Sequence, residues 1–210
     1  HTTGVLGQSD RAAVAVTVAD AKAERAALGA KLAALDAASI LKDAELSQLA
    51  LGLGESAFGD NCATCHGTGG RGAKGYPRLA DDVWLWGGSL DEIEQTIKYG
   101  IRSGNAQERT KEMPAFGRDE FLTAGQIEDL VHFVRNISRQ EANAAAAARG
   151  APLFEANCAS CHGADARGDR TQGAPNLTDE EWLYGGDVAS IRRTIFGPRN
   201  GVMPAWVDRL

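Results

Sequence analysis

The pentapeptide Cys62-Ala63-Thr64-Cys65-His66 returns as Cys158-Ala159-Ser160-Cys161-His162, and no other feature constrains the chain so tightly. In C-x-x-C-H two thiols add across the vinyl groups of a haem, and the histidine that follows is placed to ligate the iron from one face. Each copy therefore predicts one covalently held haem c, two in all. The motifs use all four cysteines and two of the four histidines. Two C-x-x-C pairs can also build a four-cysteine zinc site, and one pair alone can serve thiol-disulfide exchange. Neither alternative explains a histidine after both pairs, and the copies stand 96 residues apart, much farther than zinc-ribbon spacing.

Haem attachment of this kind resembles the c-type cytochromes, whose haems are joined on the outer side of an energy-transducing membrane. The cysteines then imply export without implying disulfides. A chain of 210 residues can hold one ordinary domain or two small ones, and the repeat decides for two. Hydrophobic residues make up 43%, a globular composition. Domains of about 90 residues bury a modest core, so the macrocycle is expected to supply much of the apolar interior. The best apolar run, around Ala12 to Ala19, falls well short of the roughly 18 residues a membrane helix needs. The chain starts at His1 with no cleavable signal pattern, which predicts sequence upstream. A net charge of −6 argues against a nucleic-acid partner and fits a basic donor protein only weakly.

Along the chain, residues 1–9 read as an extended arm and Asp10 to Leu35 as an Ala-rich, solvated spacer helix. A second helical stretch follows from Ser39 to Leu53, with Gly52 and Gly54 as breaks. Residues 1–45 are then an N-terminal arm and spacer, 46–138 a first haem domain, 139–149 a helical linker and 150–210 a second haem domain. Gly54, Phe58 and Cys62 share one helical face, as do Gly150, Phe154 and Cys158. The repeat continues through Tyr76-Pro77-Arg78-Leu79 beside Ala174-Pro175-Asn176-Leu177, and Trp84-Leu85-Trp86-Gly87-Gly88 beside Trp182-Leu183-Tyr184-Gly185-Gly186. Helices over Leu90 to Tyr99 and Val188 to Phe196 come next, then Met-Pro-Ala-aromatic at Met113 and at Met203. The first unit closes with a helix from Thr123, its cap, to Ser138, with Ile127, Leu130, Val131, Val134 and Ile137 on one face. The second has no counterpart, since seven residues follow Met203. The fold class is therefore all-α.

Met113 and Met203 are the two methionines of the chain, matched in position and each followed by proline. A thioether is a soft neutral ligand for low-spin haem iron, and a His/Met pair raises the potential relative to two histidines. Both are read as iron ligands; His132, off the apolar face beside Glu128 and Arg135, is read as a surface residue. Trp84, Trp86, Trp182 and Tyr184 either hydrogen-bond propionates or pack beside haem, and the sequence leaves both readings open. Six-coordinate irons leave no open position, so the chain is expected to carry electrons and not to be an enzyme in its own right.

The segments TTGVLGQSDRA, DDVWLWGG, EMPAFG, GAPNLTDEEWLYGG and GVMPAW resemble the dihaem (FixP-type) subunit of cbb3-type cytochrome c oxidases, over nearly the whole chain. The resemblance implies two tandem class I cytochrome c domains, the second lacking its C-terminal helix here, on the periplasmic side of the bacterial inner membrane. It implies a membrane anchor upstream, electron entry from a donor cytochrome c or the cytochrome bc1 complex, and delivery to the monohaem cytochrome c and catalytic subunits. By position it gives His66 and Met113 to the first iron and His162 and Met203 to the second, with Cys62, Cys65, Cys158 and Cys161 holding the haems. It further implies that the carbonyls of Pro77 and Pro175 orient the ligand imidazoles, and that Gly54 and Gly150 each let the N-terminal helix of their repeat cross closely over a C-terminal helix. A free dihaem shuttle, or the cytochrome subunit of a periplasmic dehydrogenase, is the competing assignment; a dihaem peroxidase would need an iron free of Met.

Overall fold

The computed structural model of the protein describes residues 10–209, and the arm expected over residues 1–9 lies outside them. Among the described residues every regular element is helical, with isolated β-bridges as the extended pairings. Helix α1 spans Asp10–Ala33, close to the predicted range. Its many alanines lose little side-chain entropy on becoming helical, and Val14 and Val16 on it remain exposed. Asp36 caps the short α2 (Ala37–Ile40), its carboxylate accepting from the Ser39 amide at 2.7 Å. Asp43 then accepts from the amides of Glu45 and Leu46 where α3 (Ala44–Asn61) begins. These two caps split the single stretch expected from Ser39. Gly52 and Gly54, expected as breaks, lie inside α3, because the strong helix formers around them outweigh a cost of about 1 kcal/mol each.

Contacts divide the chain into two compact units, one ending at Phe58 and the other starting at Gly59, so both haem motifs fall in the second. That unit contains α4 (Ala63–His66), a 3-10 turn (Thr68–Gly70), α5 (Leu90–Tyr99), α6 (Ala124–Ile137), α7 (Ala144–Asn157), α8 (Ala159–His162) and α9 (Val188–Phe196). Capping boxes start α5 at Ser89 and Glu92 and α6 at Thr123 and Gln126, and the Asp187 side chain caps α9. The helical linker expected over 139–149 is instead a turn followed by half a helix. Arg139 takes a left-handed φ of 61°, Asn143 accepts from the Ala146 amide at 3.0 Å, and the alanine run continues unbroken into α7.

The core forms where α6 lies along α7 and α9. Leu130 and Val131 are fully buried, and with Ile127 and Val134 they meet Phe154 of α7 and Ile191 and Ile195 of α9. Each such aliphatic side chain stabilises the fold by about 1.5–3 kcal/mol. Gly150 permits the approach: a Cβ there would strike the Asp129 carbonyl oxygen and lie 2.8 Å from the Cβ of Phe133. The close crossing expected of this glycine is present, with α6 as its partner, whereas the one expected at Gly54 is not: a Cβ there meets nothing within 4 Å among the described residues. Ion pairs Arg149–Asp129 and Arg192–Glu128, both 2.6 Å, flank the core.

Candidate haem sites

The Cys62 carbonyl accepts from the amides of Cys65 (3.1 Å) and His66 (2.9 Å), and the Cys158 carbonyl does the same for Cys161 and His162 at the same distances. One turn of helix thus presents two thiols and an imidazole in fixed order in each motif. No disulfide joins any of the four cysteines. Among the described residues no three His, Cys, Asp or Glu side chains gather, so the two pairs do not converge on one zinc site. Burial pushes the Cys158 thiol up to about 11, helped by Cys161 beside it. Burial likewise lowers the His162 pKa, against a smaller opposing pull from the Pro175 carbonyl, and so holds the ring in its neutral, ligating form.

Beyond each motif the chain turns back under the histidine. The amides of Gly72 and Gly168 donate to the carbonyls of His66 and His162, both at 2.7 Å. These glycines sit at φ of 72° and 84°, and a Cβ at Gly72 would lie 2.7 Å from the Arg78 amide nitrogen. The turn brings the Pro77 carbonyl to His66 Nδ1 and the Pro175 carbonyl to His162 Nδ1, 3.0 Å in each case. A carbonyl only accepts, so Nδ1 carries the proton and Nε2 keeps the lone pair a metal needs. The proline contact expected by resemblance is present twice. The donor set and its tautomer fit covalently attached haem c.

Met113 packs against the α6–α7–α9 core, as do Cys158, Ala159 and Leu177. The amides of Gly117 and Arg118 donate to the Phe196 carbonyl at 3.1 and 2.9 Å, which seats this segment on α9. Met203 exchanges both backbone bonds with Ile101, at 2.9 and 3.0 Å, just past α5. The Trp206 amide donates to the carbonyls of Ile97 and Lys98, which seats the second methionine segment on α5. His132 is half-buried, with Nδ1 accepting from the Asn143 amide at 3.2 Å and Nε2 facing Glu128 at 3.6 Å. It serves the turn between α6 and α7.

Two arginines escaped the sequence reading. Arg109 donates through Nε to Thr96 Oγ1 at 3.0 Å and lies 5.4 Å from the Trp86 ring centre. Arg199 donates through Nη1 to Thr194 Oγ1, also at 3.0 Å, and lies 4.3 Å from the Tyr184 ring. Each precedes its methionine by four residues, and that shared R-x-x-x-M spacing was the signal available. Trp86 and Tyr184 are thereby packed under guanidinium groups, while Trp84 and Trp182 back onto Gly88 and Gly186.

Residues 52–138 match the cytochrome c family, and residues 145–210 match the family described as cytochrome C oxidase, cbb3-type, subunit III. The whole chain is 49% identical to the cbb3-type cytochrome c oxidase subunit FixP of Bradyrhizobium sp. (strain ORS 278), covering 73% of that protein. It is 49% identical to FixP of Azorhizobium caulinodans, covering 71%, and 45% identical to subunit CcoP of Cereibacter sphaeroides, covering 72%. The chain belongs to the CcoP/FixP family. In this CcoP/FixP chain the two matched regions meet at the turn between α6 and α7. The family's cytochrome c regions imply covalently bound haem c, in agreement with the two motif geometries. Among the described residues no helix is long and apolar enough to cross a membrane.

Proposed function

We propose that the chain is the dihaem electron-transfer subunit of a cbb3-type cytochrome c oxidase, built on two tandem class I cytochrome c domains over residues 46–138 and 150–210. The observation that carries this reading is the doubled C-x-x-C-H turn, each histidine held by a proline carbonyl at 3.0 Å and each repeat supplying one Met-Pro. Cys62, Cys65, Cys158 and Cys161 would hold two haem c groups, which supply one-electron redox chemistry when bound. His66 and His162 would each hold one iron through Nε2, and Met113 and Met203 would supply one sulfur ligand each. Pro77 and Pro175 fix the imidazole planes, and the thioether ligands place the potentials in the upper part of the c-type range. With two protein ligands to each iron the chain would pass electrons, and oxygen reduction would belong to another subunit.

In this reading electrons arrive from a donor cytochrome c or the cytochrome bc1 complex and leave to the monohaem and catalytic subunits. The chain works on the periplasmic side of the bacterial inner membrane, attached through an anchor upstream of its first residue. Purification of the full-length protein from native membranes tests the assignment. Two haems per polypeptide by pyridine haemochrome assay, co-eluting with a haem-copper oxidase, is the expected result. A colourless protein, or one that never associates with such an oxidase, overturns it.

A further inference from the structure

We infer that the two sulfurs are exchanged between the repeats: Met203 ligates the iron held by His66, and Met113 ligates the iron held by His162. The inference rests on the reading above that each motif carries a His/Met haem, and it departs from the linear order, which pairs His66 with Met113.

The first ground is where Met113 sits. It shares a core with Cys158, the first anchoring cysteine of the second haem, and with Ala159 and Leu177 of the same repeat. The segment that follows it is bonded to the end of α9, the helix of that repeat. The second ground is the mirror case. Met203 is paired with Ile101 at the end of α5, and Trp206 is bonded to α5 itself. Gly100 makes room for this, with φ of +74° and no space for a Cβ, which would strike the Met203 carbonyl oxygen. Helix α5 stands to the first motif as α9 stands to the second, and α9 shares its core with Cys158 and Leu177. By the same repeat, α5 belongs to the site of His66, and Met203 is the methionine on it.

A third ground is the crossing point. Arg102 donates to the carbonyl of Lys111 at 2.7 Å and to that of Gly201 at 2.9 and 2.6 Å. Lys111 and Gly201 each precede their methionine by two residues, so one guanidinium holds both methionine-bearing legs where they pass. Asn200 reaches from the second leg to the Met113 carbonyl at 3.5 Å. Neither repeat completes its own iron site, and each borrows its sulfur from the other.

The test uses the full chain with one haem deleted at a time. In the Cys158→Ala/Cys161→Ala background only the first haem is attached. There, Met203→Ala is expected to abolish the far-red sulfur-to-ferric-iron band, and Met113→Ala to retain it. The Cys62→Ala/Cys65→Ala background is expected to give the reverse. Loss of the band with Met113→Ala alone in the first background overturns the exchange. Should a single-haem chain fail to fold, the intact dihaem protein with methyl-labelled methionine decides. A nuclear Overhauser contact from the Met203 methyl to the haem bonded to Cys62 and Cys65 upholds the exchange, and one to the haem bonded to Cys158 and Cys161 overturns it. A haem-loaded chain with no sulfur band at either iron removes the His/Met reading itself, and the exchange with it.

Discussion

Arg102 grips the carbonyl of Gly201 with two nitrogens, Nε at 2.9 Å and Nη2 at 2.6 Å, and its third nitrogen holds Lys111. Hydrogen bonds from a charged donor are worth more than neutral ones. Arg102→Ala is expected to lower stability by about 1–2 kcal/mol and to weaken the far-red band at both irons together. Arg102→Lys, a point charge without the fork, should recover only part. Urea unfolding followed alongside ferric far-red absorbance checks this; an effect on one iron alone would show that the guanidinium serves a single leg.

Gly150 and Gly54 hold the same place in the two repeats and predict opposite outcomes. A Cβ at Gly150 runs into the backbone of α6, which has little room to yield, whereas one at Gly54 meets nothing within 4 Å among the described residues. Gly150→Ala should destabilise by about 1–3 kcal/mol through overpacking. Gly54→Ala should stabilise α3 by up to about 1 kcal/mol through helix propensity. Circular dichroism melts of the two variants against the parent measure both signs.

The paired clamps Arg109–Thr96–Trp86 and Arg199–Thr194–Tyr184 join a helix to the aromatic residue that precedes it. Burial lowers the Arg109 pKa, with Glu92 pulling the other way, yet the group stays charged at any working pH. Arg109→Ala should cost about 1–2 kcal/mol, from a charged hydrogen bond and a cation–π contact of about 0.5–1 kcal/mol. Because each clamp sits four residues before a methionine, the potential of one haem should shift as well, which redox titration of Arg109→Ala and Arg199→Ala would resolve.

The haem turns were legible because their chemistry is local: cysteines, histidine, glycines and proline lie within a span of 16 residues in the first copy and 18 in the second, and the backbone closes around them in both. Helix α6 was legible from its Thr123 cap and its apolar face, and α5 and α9 from their matched place in the repeat. The bounds of α3 and α7 were harder to read. Gly52 and Gly54 looked like breaks, and the segment before Gly150 looked like a separate linker, because propensity does not say which neighbouring signal prevails. Partner choice was the least legible. The repeat shows that Met113 and Met203 are equivalent, but which core each joins depends on pairings such as Met203 with Ile101, and no local pattern encodes them.

Acid should loosen the starts of α5 and α9 before it affects the core. The Ser89 amide, followed by the Ser89 hydroxyl, holds Glu92 below its ordinary 4.5, and Ser190 holds Asp187 below 3.8. A carboxylate whose folded pKa lies below its unfolded one adds stability that is complete above the unfolded value and is lost as pH falls through the folded value. The contribution of both caps is therefore whole at neutral pH and should fade from about pH 5 downward. Glu92→Gln and Asp187→Asn remove the charge while leaving an oxygen to accept the bond. Each should lower Tm at pH 7, with the gap to the parent closing as pH falls below the ordinary carboxylate range and the parent carboxylates protonate. Melts across that range read the gap directly. Because an uncharged acceptor cannot reproduce the interaction of a carboxylate with the N-terminal amides and helix dipole, a gap that stays constant with pH would show that the charge of the caps contributes nothing.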